Sequence, residues 1–265
     1  MRSAPPCDAP RVPRLFTHLI PPREAPPDLR GAAAVAIDVL RASTTLTAAL
    51  AAGARSVLAV GELDEARALA AEGEVRPLLA GERNCLAPEG FDLGNSPLEM
   101  TAQRVRGREL VATTSNGTRA LLWGAGAERL LLAGFVNLEA SARRLARASG
   151  DVHLVCAGAD GRPTLDDVAC AGALARRLFE LRPDLEPDDG TQIALAAAPR
   201  DAAALLTLLL ESGPGRRLVR LGMDADVRFA AQRDGLPLAV RGRAEPQAAR
   251  RDRAAIAAVR LQLDR

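Results

Sequence analysis

The chain has 265 residues, a formal net charge of +2, 48% hydrophobic and 26% charged residues. That is an ordinary globular composition, long enough for one large α/β domain or two small ones, with no global pull toward nucleic acid or membrane. Aromatic residues are only 2%, with no tyrosine. The core must therefore be built from alanine, leucine and valine, which argues against base-stacking nucleic-acid modules. The four cysteines form no C-x-x-C pair and there are two histidines, so no structural zinc site is expected. There is no lysine, so all 35 Lys-or-Arg positions are arginine, which with the alanine excess reads as a genome-level bias. The N-terminus is proline-rich, no apolar run approaches the roughly 20 residues of a membrane span, and the scattered thiols fit a reducing, cytoplasmic setting.

Taken in order, residues 1–11 contain Pro5, Pro6 and Pro10 and are expected to be disordered. Arg14 to Ile20 reads as an edge strand, followed by a proline-rich connection. Ala32 to Ile37 is a short, bounded apolar run, the signature of a buried parallel strand. It leads into an alanine-rich helix that stops at Gly53. Ser56 to Val60 and Arg76 to Ala80 are further strands, separated by a helix from Leu63 to Ala71. Gly81 to Ser96 has no periodicity, and a loop this long in a compact domain is usually functional or disordered. Ser96, Pro97 and Glu99 suit a capping box at its end. Strands follow at Glu109 to Ala112, Arg129 to Ala133 and Val152 to Ala157, with helices at Leu138 to Ala148 and from Thr164 to about Leu181. Residues 183–190 read as a linker, the segment to Met223 as helical, Leu238 to Val240 as a short strand, and residues 244–265 as a charged helical tail with one apolar face. That face would pack on the same domain or on a second copy, as in a homodimer.

The alternation of strands and helices over residues 32–181 implies βαβ units. The predicted fold is α/β: a mainly parallel sheet flanked by helices, with a smaller, mostly helical C-terminal part. The expected division is an α/β catalytic domain at 12–182 and a helical subdomain at 183–265 that completes the fold. Parallel strands would place the polar segments after Ile37, Ala80, Ala112 and Ala157 along one edge, where ligands bind in open α/β sheets.

Those segments carry the candidate chemistry. Asp38 and Arg41 flank a buried strand end and read either as a metal-holding carboxylate and an anion clamp or as an internal ion pair. Ser43, Thr44 and Thr45 form either an anion cradle or a cap at a helix start. Glu82 and Arg83 open the irregular loop, as a metal ligand and a clamp or as a salt-bridged turn. Thr113 to Arg119 is an unusual polar run in which Asn116–Gly117 predicts a positive-φ turn and exposed N–H groups. It is not a P-loop, since G-x-x-x-x-G-K-[ST] is absent. Of Asp166 and Asp167, one is expected to partner Thr164 at the helix cap and the other to be free for Mg²⁺. Cys156 reads as a buried structural thiol, and His153, three residues away in a strand, lies on the opposite face. Together these residues describe an α/β enzyme handling a small anionic substrate with Mg²⁺, without naming the reaction.

Read as an ordered set, IDVLRASTTLTAAL, GER, GFDLGNSPLEM, TTSNGTRAL, VNLEA, and CAG followed by TLDD and CAGAL resemble the 2-phosphosulfolactate phosphatase family over about residues 33–180, and more weakly beyond. The resemblance implies a Mg²⁺-dependent phosphatase that hydrolyses 2-phospho-3-sulfolactate to sulfolactate and phosphate, a step of coenzyme M biosynthesis in methanogens. It points to Asp38, Arg41, Glu82, Arg83 and Asn116 as catalytic groups. Ser43, Thr44, Asn95, Ser96, Gly117 and Thr118 would bind a phosphorylated and sulfonated substrate, and Asp38, Glu82 and Asp167 would hold the metal. No nucleic-acid or membrane partner is implied. One departure is SGPGRRL at 212–218, where many relatives carry a histidine before the glycine-arginine pair. A phosphatase for another phosphorylated hydroxy acid and a non-catalytic anion-binding protein are the alternatives.

Overall fold

A computed structural model describes residues 11–24, 26–72, 75–247 and 256–264. The disorder expected for residues 1–11 falls outside them except at Arg11, which donates a hydrogen bond to Asp151 Oδ2 at 2.8 Å. The strands are β1 (Arg14–His18), β2 (Ala33–Ile37), β3 (Ser56–Val60), β4 (Leu78–Gly81), β5 (Glu109–Thr113), β6 (Arg129–Ala133), β7 (Val152–Cys156), β8 (Glu186–Pro187), β9 (Val240–Ala244) and β10 (Ala258–Leu263). They form one sheet in the order β4-β5-β3-β10-β9-β6-β2-β7-β1-β8. Helices α1 (Ala42–Ala51), α2 (Leu63–Ala70), α3 (Ala102–Val105), α4 (Gly117–Trp123), α5 (Leu138–Leu145) and α6 (Leu165–Leu181) are interspersed with the strands. The helical C-terminal part comprises α7 (Asp189–Ala197), α8 (Ala202–Glu211), α9 (Gly213–Arg220) and α10 (Asp224–Ala230). No single helix among the described residues is long and apolar enough to cross a membrane.

Strand β2 sits near the middle of one half, hydrogen-bonded in parallel to β6 and β7. Its residues are buried on both faces, as parallel strands require. Ala33, Val35 and Ile37 join the core on one side of the sheet, Ala34 and Ala36 the core on the other. This is the period-2 alternation of a strand read on two apolar faces. Helix α1 is buried from Ala42 to Leu50. A helix packed all round needs small side chains, which is what its alanine, serine and threonine composition supplies. Its hydroxyls find internal partners: Thr44 Oγ1 donates to Val39 O and Thr45 Oγ1 to Asn95 O, both at 2.8 Å.

Four expectations are corrected. The tail is not a helix: β10 lies inside the sheet, antiparallel to β3 on one side and β9 on the other. Its alternating Val259, Leu261 and Arg260, Gln262 are a strand pattern with one buried and one more open face; residues 248–255 lie outside the described set. The supposed linker at 183–190 contributes the two-residue edge strand β8 and begins α7. The capping box at Ser96 does not close, because Glu99 Oε2 accepts from Gly94 N at 3.2 Å. Only a single 3₁₀ turn, Pro97–Glu99, forms there.

The fourth correction concerns the sheet edge. Strands β3, β4 and β5 are mutually parallel, as are β6, β2, β7 and β1, but the three antiparallel pairings through β10 and β9 make the two halves run in opposite senses. Their C-terminal ends nevertheless meet. Neighbouring strands rotate by about 20–25° each, so five steps from β5 to β2 turn the sheet by roughly 100–125°, and nominally opposed strands converge around the N-terminal end of α1.

Candidate active site

The convergence encloses a cavity of about 320 Å³. Its floor holds three carboxylates. Asp38 follows β2, and Asp166 and Asp167 open α6 beyond β7; all three side chains are buried. Asp38 Oδ1 accepts from Ala42 N at 3.2 Å, and Ser43 Oγ accepts from Asp38 N at 2.9 Å. Asp167 uses both oxygens on backbone: Oδ1 accepts from Val39 N at 2.8 Å and Oδ2 from Gly158 N at 2.9 Å. It thereby ties the loop after β2 to the loop after β7. Asp166 Oδ1, by contrast, is buried without a hydrogen-bond partner, as is the Thr164 hydroxyl. Thr164 makes no side-chain bond to the α6 backbone, although its hydroxyl lies close enough to Asp166 to favour that carboxylate's charged form, so Asp166 is the aspartate it is paired with.

Burial governs the electrostatics. It pushes Asp38 up to about 7, reinforced by the carboxylates of Asp166 and Glu82. It raises Asp166 to about 6, and it holds Asp167 well above the usual range, with Asp166 and Asp38 adding to the effect. Three carboxylates in a low-dielectric floor cannot all ionise without a compensating cation. Glu82 behaves differently: burial would raise it, but N–H groups of Ser115 and Cys85 at 2.9 Å hold it below its ordinary value. No three Asp, Glu, His or Cys side chains among the described residues already surround one metal-sized position. A Mg²⁺ ion does not demand that, since it takes one or two carboxylates and fills its octahedron with water and substrate phosphate. The orphaned oxygen of Asp166 beside Asp38 fits such a role.

The lining also carries cations. Helix α9 brings Arg217 and Arg220 to the cavity, with Gly213 and Pro214. The turn into α9 is capped by Ser212 Oγ, which accepts from Gly215 N at 3.0 Å. Gly215 is required there because a Cβ would lie 1.8 Å from Leu209 O. Arg217 Nη2 also donates to Asn84 Oδ1 at 3.3 Å, joining α9 to the loop after β4.

Of the residues singled out from the sequence, Asp38, Arg41, Glu82, Asn95, Asn116 and Asp167 line this cavity. Arg41 is heavily committed: Nη1 donates to Asp226 Oδ2 at 2.7 Å and Nη2 to Cys85 O at 2.7 Å, in an ion pair whose side chains are each 4% exposed. Ser96 Oγ donates to the other oxygen of Asp226 at 2.6 Å. Arg83 turns to Glu82 O, Gly61 O and Thr113 Oγ1. Ser43 and Thr44 bond locally, as described, and Thr118 exchanges hydrogen bonds with Thr114. Gly117 is not at a positive-φ turn; it is the first residue of α4. Its lack of a side chain allows close approach, because a Cβ would fall 2.6 Å from Asp38 Oδ2 and 2.7 Å from Ala42 Cβ. Cys156 is a buried thiol whose pKa burial drives well up.

Sequence reasoning left out Asp226, Arg217 and Arg220 and set Asp166 aside. The two arginines lie in a segment read as helical and Asp226 just beyond it, where the family resemblance is weak and singles out no residue. Asp166 was visible as a choice between two adjacent carboxylates, which only the backbone partners of Asp167 resolve.

The family model described as 2-phosphosulpholactate phosphatase matches residues 19–242. The chain belongs to the 2-phosphosulfolactate phosphatase family. It is 42% identical to a protein of Symbiobacterium thermophilum over 80% of this chain and 91% of that relative. To a Deinococcus radiodurans protein it is 44% identical, over 83% and 89% of the two chains. To one from Thermotoga maritima it is 38% identical, over 76% and 85%. Each of these relatives is named a probable 2-phosphosulfolactate phosphatase, which puts the family among the phosphoric monoester hydrolases. The matched residues 19–242 include every site side chain described above.

Proposed function

We propose that the protein is a Mg²⁺-dependent phosphatase that hydrolyses 2-phospho-3-sulfolactate to 3-sulfolactate and phosphate. The observation that supports it most is the mixed charge of the cavity lining: buried carboxylates, with Asp166 Oδ1 unpartnered, together with the guanidinium groups of Arg217 and Arg220. A substrate carrying phosphate, sulfonate and carboxylate groups is matched by guanidinium forks at one end. At the other end, anionic side chains can accept it only through a cation. Asp166 and Asp38 would hold Mg²⁺, with Asp167 fixing the loops on which both stand. When bound, the ion would neutralise the phosphoryl oxygens and lower the pKa of an attacking water. The chain's own residues would then hold the remaining anionic groups through Arg217 and Arg220, and Asn116 and Asn95 would offer amides at the cavity wall. Positioning and charge neutralisation are the main demands of phosphoryl transfer.

Phosphate release from 2-phospho-3-sulfolactate is the direct test. It is expected to require Mg²⁺, to be abolished by Asp38→Ala, and to exceed release from phosphorylated hydroxy acids that lack the sulfonate. Equal rates on those analogues would assign the chain to another phosphorylated hydroxy acid. The stereochemical course at an isotopically chiral phosphoryl group distinguishes the route: inversion, the result of one in-line displacement, supports direct attack by water, and net retention, the result of two, would overturn it.

A further inference from the structure

The arginine-rich C-terminal segment, which the catalytic cavity does not use, builds a second polar cavity. Strands β9 and β10 lie antiparallel between β6 and β3, with Leu130 opposite Gly242, Leu131 opposite Arg241, Arg260 opposite Arg243 and Gln262 opposite Arg241. The register places Arg129, Arg243 and Arg260 in one row across three strands, and Arg241 and Gln262 in the next row on the same face. With Arg144 from the last turn of α5, five guanidinium groups line a cavity of about 400 Å³ to which, among the described residues, two carboxylates contribute, Glu128 and Asp264. This cavity opens at the start of β6, whereas the catalytic cavity lies beyond the other end of its neighbour β2. Five residues of strand separate the two, about 16 Å.

Like charges placed opposite one another across strands are unfavourable unless a counter-charge sits between them. Part of the row is compensated from within the chain. Glu245 accepts from Arg260 Nε at 2.8 Å and Arg243 Nη2 at 3.3 Å, and Asp264 takes both Nε and Nη2 of Arg144. Arg129 and Arg241 have no carboxylate partner among the described residues, and Gln262 adds an amide across from Arg241. Two uncommitted guanidinium forks on diagonal positions of one open strand face are spaced for a ligand with two anionic groups.

From this arrangement we infer that the β6–β9–β10 face binds a small polyanion of the di- or triphosphate class, held by Arg129 and Arg241 and separate from the catalytic cavity. The test uses pyrophosphate in divalent-free buffer at fixed ionic strength, followed by calorimetric titration of the full chain. Comparison proteins are the double variant Arg129→Gln/Arg241→Gln and the catalytic-cavity variant Arg217→Gln. The expected result is a binding event that survives Arg217→Gln and weakens at least tenfold in the double variant, whose unliganded melting temperature and phosphatase rate stay unchanged. Undiminished binding in the double variant would overturn the inference, as would an equal heat from the same charge concentration of chloride. A short oligonucleotide that binds more tightly than pyrophosphate, and loses that binding in the double variant, would replace the small-anion reading with a nucleic-acid one.

Discussion

Two adjacent aspartates at the start of α6 do different physical work, and the difference is set by a single hydrogen-bond inventory. Asp167 accepts backbone N–H groups from Val39 and Gly158, one on each oxygen. Replacing it with asparagine turns one acceptor into an NH₂ that faces an N–H, leaving a buried donor unsatisfied at a cost of about 1–3 kcal/mol. Asp166 has one oxygen without a partner, while backbone N–H groups of Asp166, Asp167 and Leu40 and the Thr164 hydroxyl favour its charged form, so Asp166→Asn removes a buried charge and weakens those contacts together. The expected outcomes differ in kind. Asp167→Asn lowers the denaturant midpoint, whereas Asp166→Asn, in which relief of a buried charge offsets weakened hydrogen bonds, changes it less while slowing Mg²⁺-dependent phosphate release by about two orders of magnitude. Urea titration paired with the phosphate assay on both variants checks this. An Asp166→Asn enzyme of unchanged rate would remove that residue from the proposed metal site. The choice between the two could not be made from the sequence, because TLDD looks the same whichever carboxylate faces the backbone.

At the scale of elements, the strand β1 is held to β7 by a histidine pair as well as by the ladder. His18 Nε2 and His153 Nδ1 are 3.0 Å apart, one donating and the other accepting, and their rings stack 5.3 Å apart beside Trp123. Burial, together with the neighbouring His153, lowers His18 to about 4 from its ordinary 6.5, and burial also lowers His153. The unfolded chain therefore takes up protons at these rings between pH 6.5 and 4 while the folded one does not. The stabilisation from the neutral pair is complete above pH 6.5 and is lost as pH falls through that window. Urea unfolding at a series of pH values should show stability declining on acidification in this range, with the slope reduced by about one proton in His18→Gln. An unaltered slope would show that the pair is not the titrating unit. Here the legible and illegible parts of the sequence separate cleanly. The strands β2, β3, β6 and β7 announced themselves as short apolar runs bounded by turns, so the parallel sheet and its helices were readable. The tail was misread because three of the apolar positions picked out in it, Ile256, Val259 and Leu263, fit a helical period, while Arg260 and Gln262 between them fit a strand only when the neighbours β3 and β9 are known. Likewise Asp38 and Glu82 stood out at strand ends. Asp226 and Arg217 reach the site from helices whose local sequence carries no sign of where they pack.

Across the whole molecule, the two oppositely directed halves of the sheet are joined only through β9 and β10. The hairpin therefore does more than close an edge. It supplies the antiparallel step and the twist that bring Glu82 and Ser115, from one half, to face Asp38 and Asp166, from the other. Leu261 is its fully buried centre and belongs to the same core as Val57, Leu130 and Trp123. Leu261→Ala removes side-chain volume at the junction and is expected to cost about 2–5 kcal/mol. Because both halves depend on this strand, the loss should be felt by the entire chain at once. Trp123 fluorescence and far-ultraviolet circular dichroism should give superimposable denaturation curves, shifted together to lower urea. Curves that separate in the variant, with one half melting first, would show that the halves carry independent stability. In that case the catalytic cavity would be an interface between two folding units, and Mg²⁺ bound at its floor would draw the two transitions back together by stabilising only the joined form.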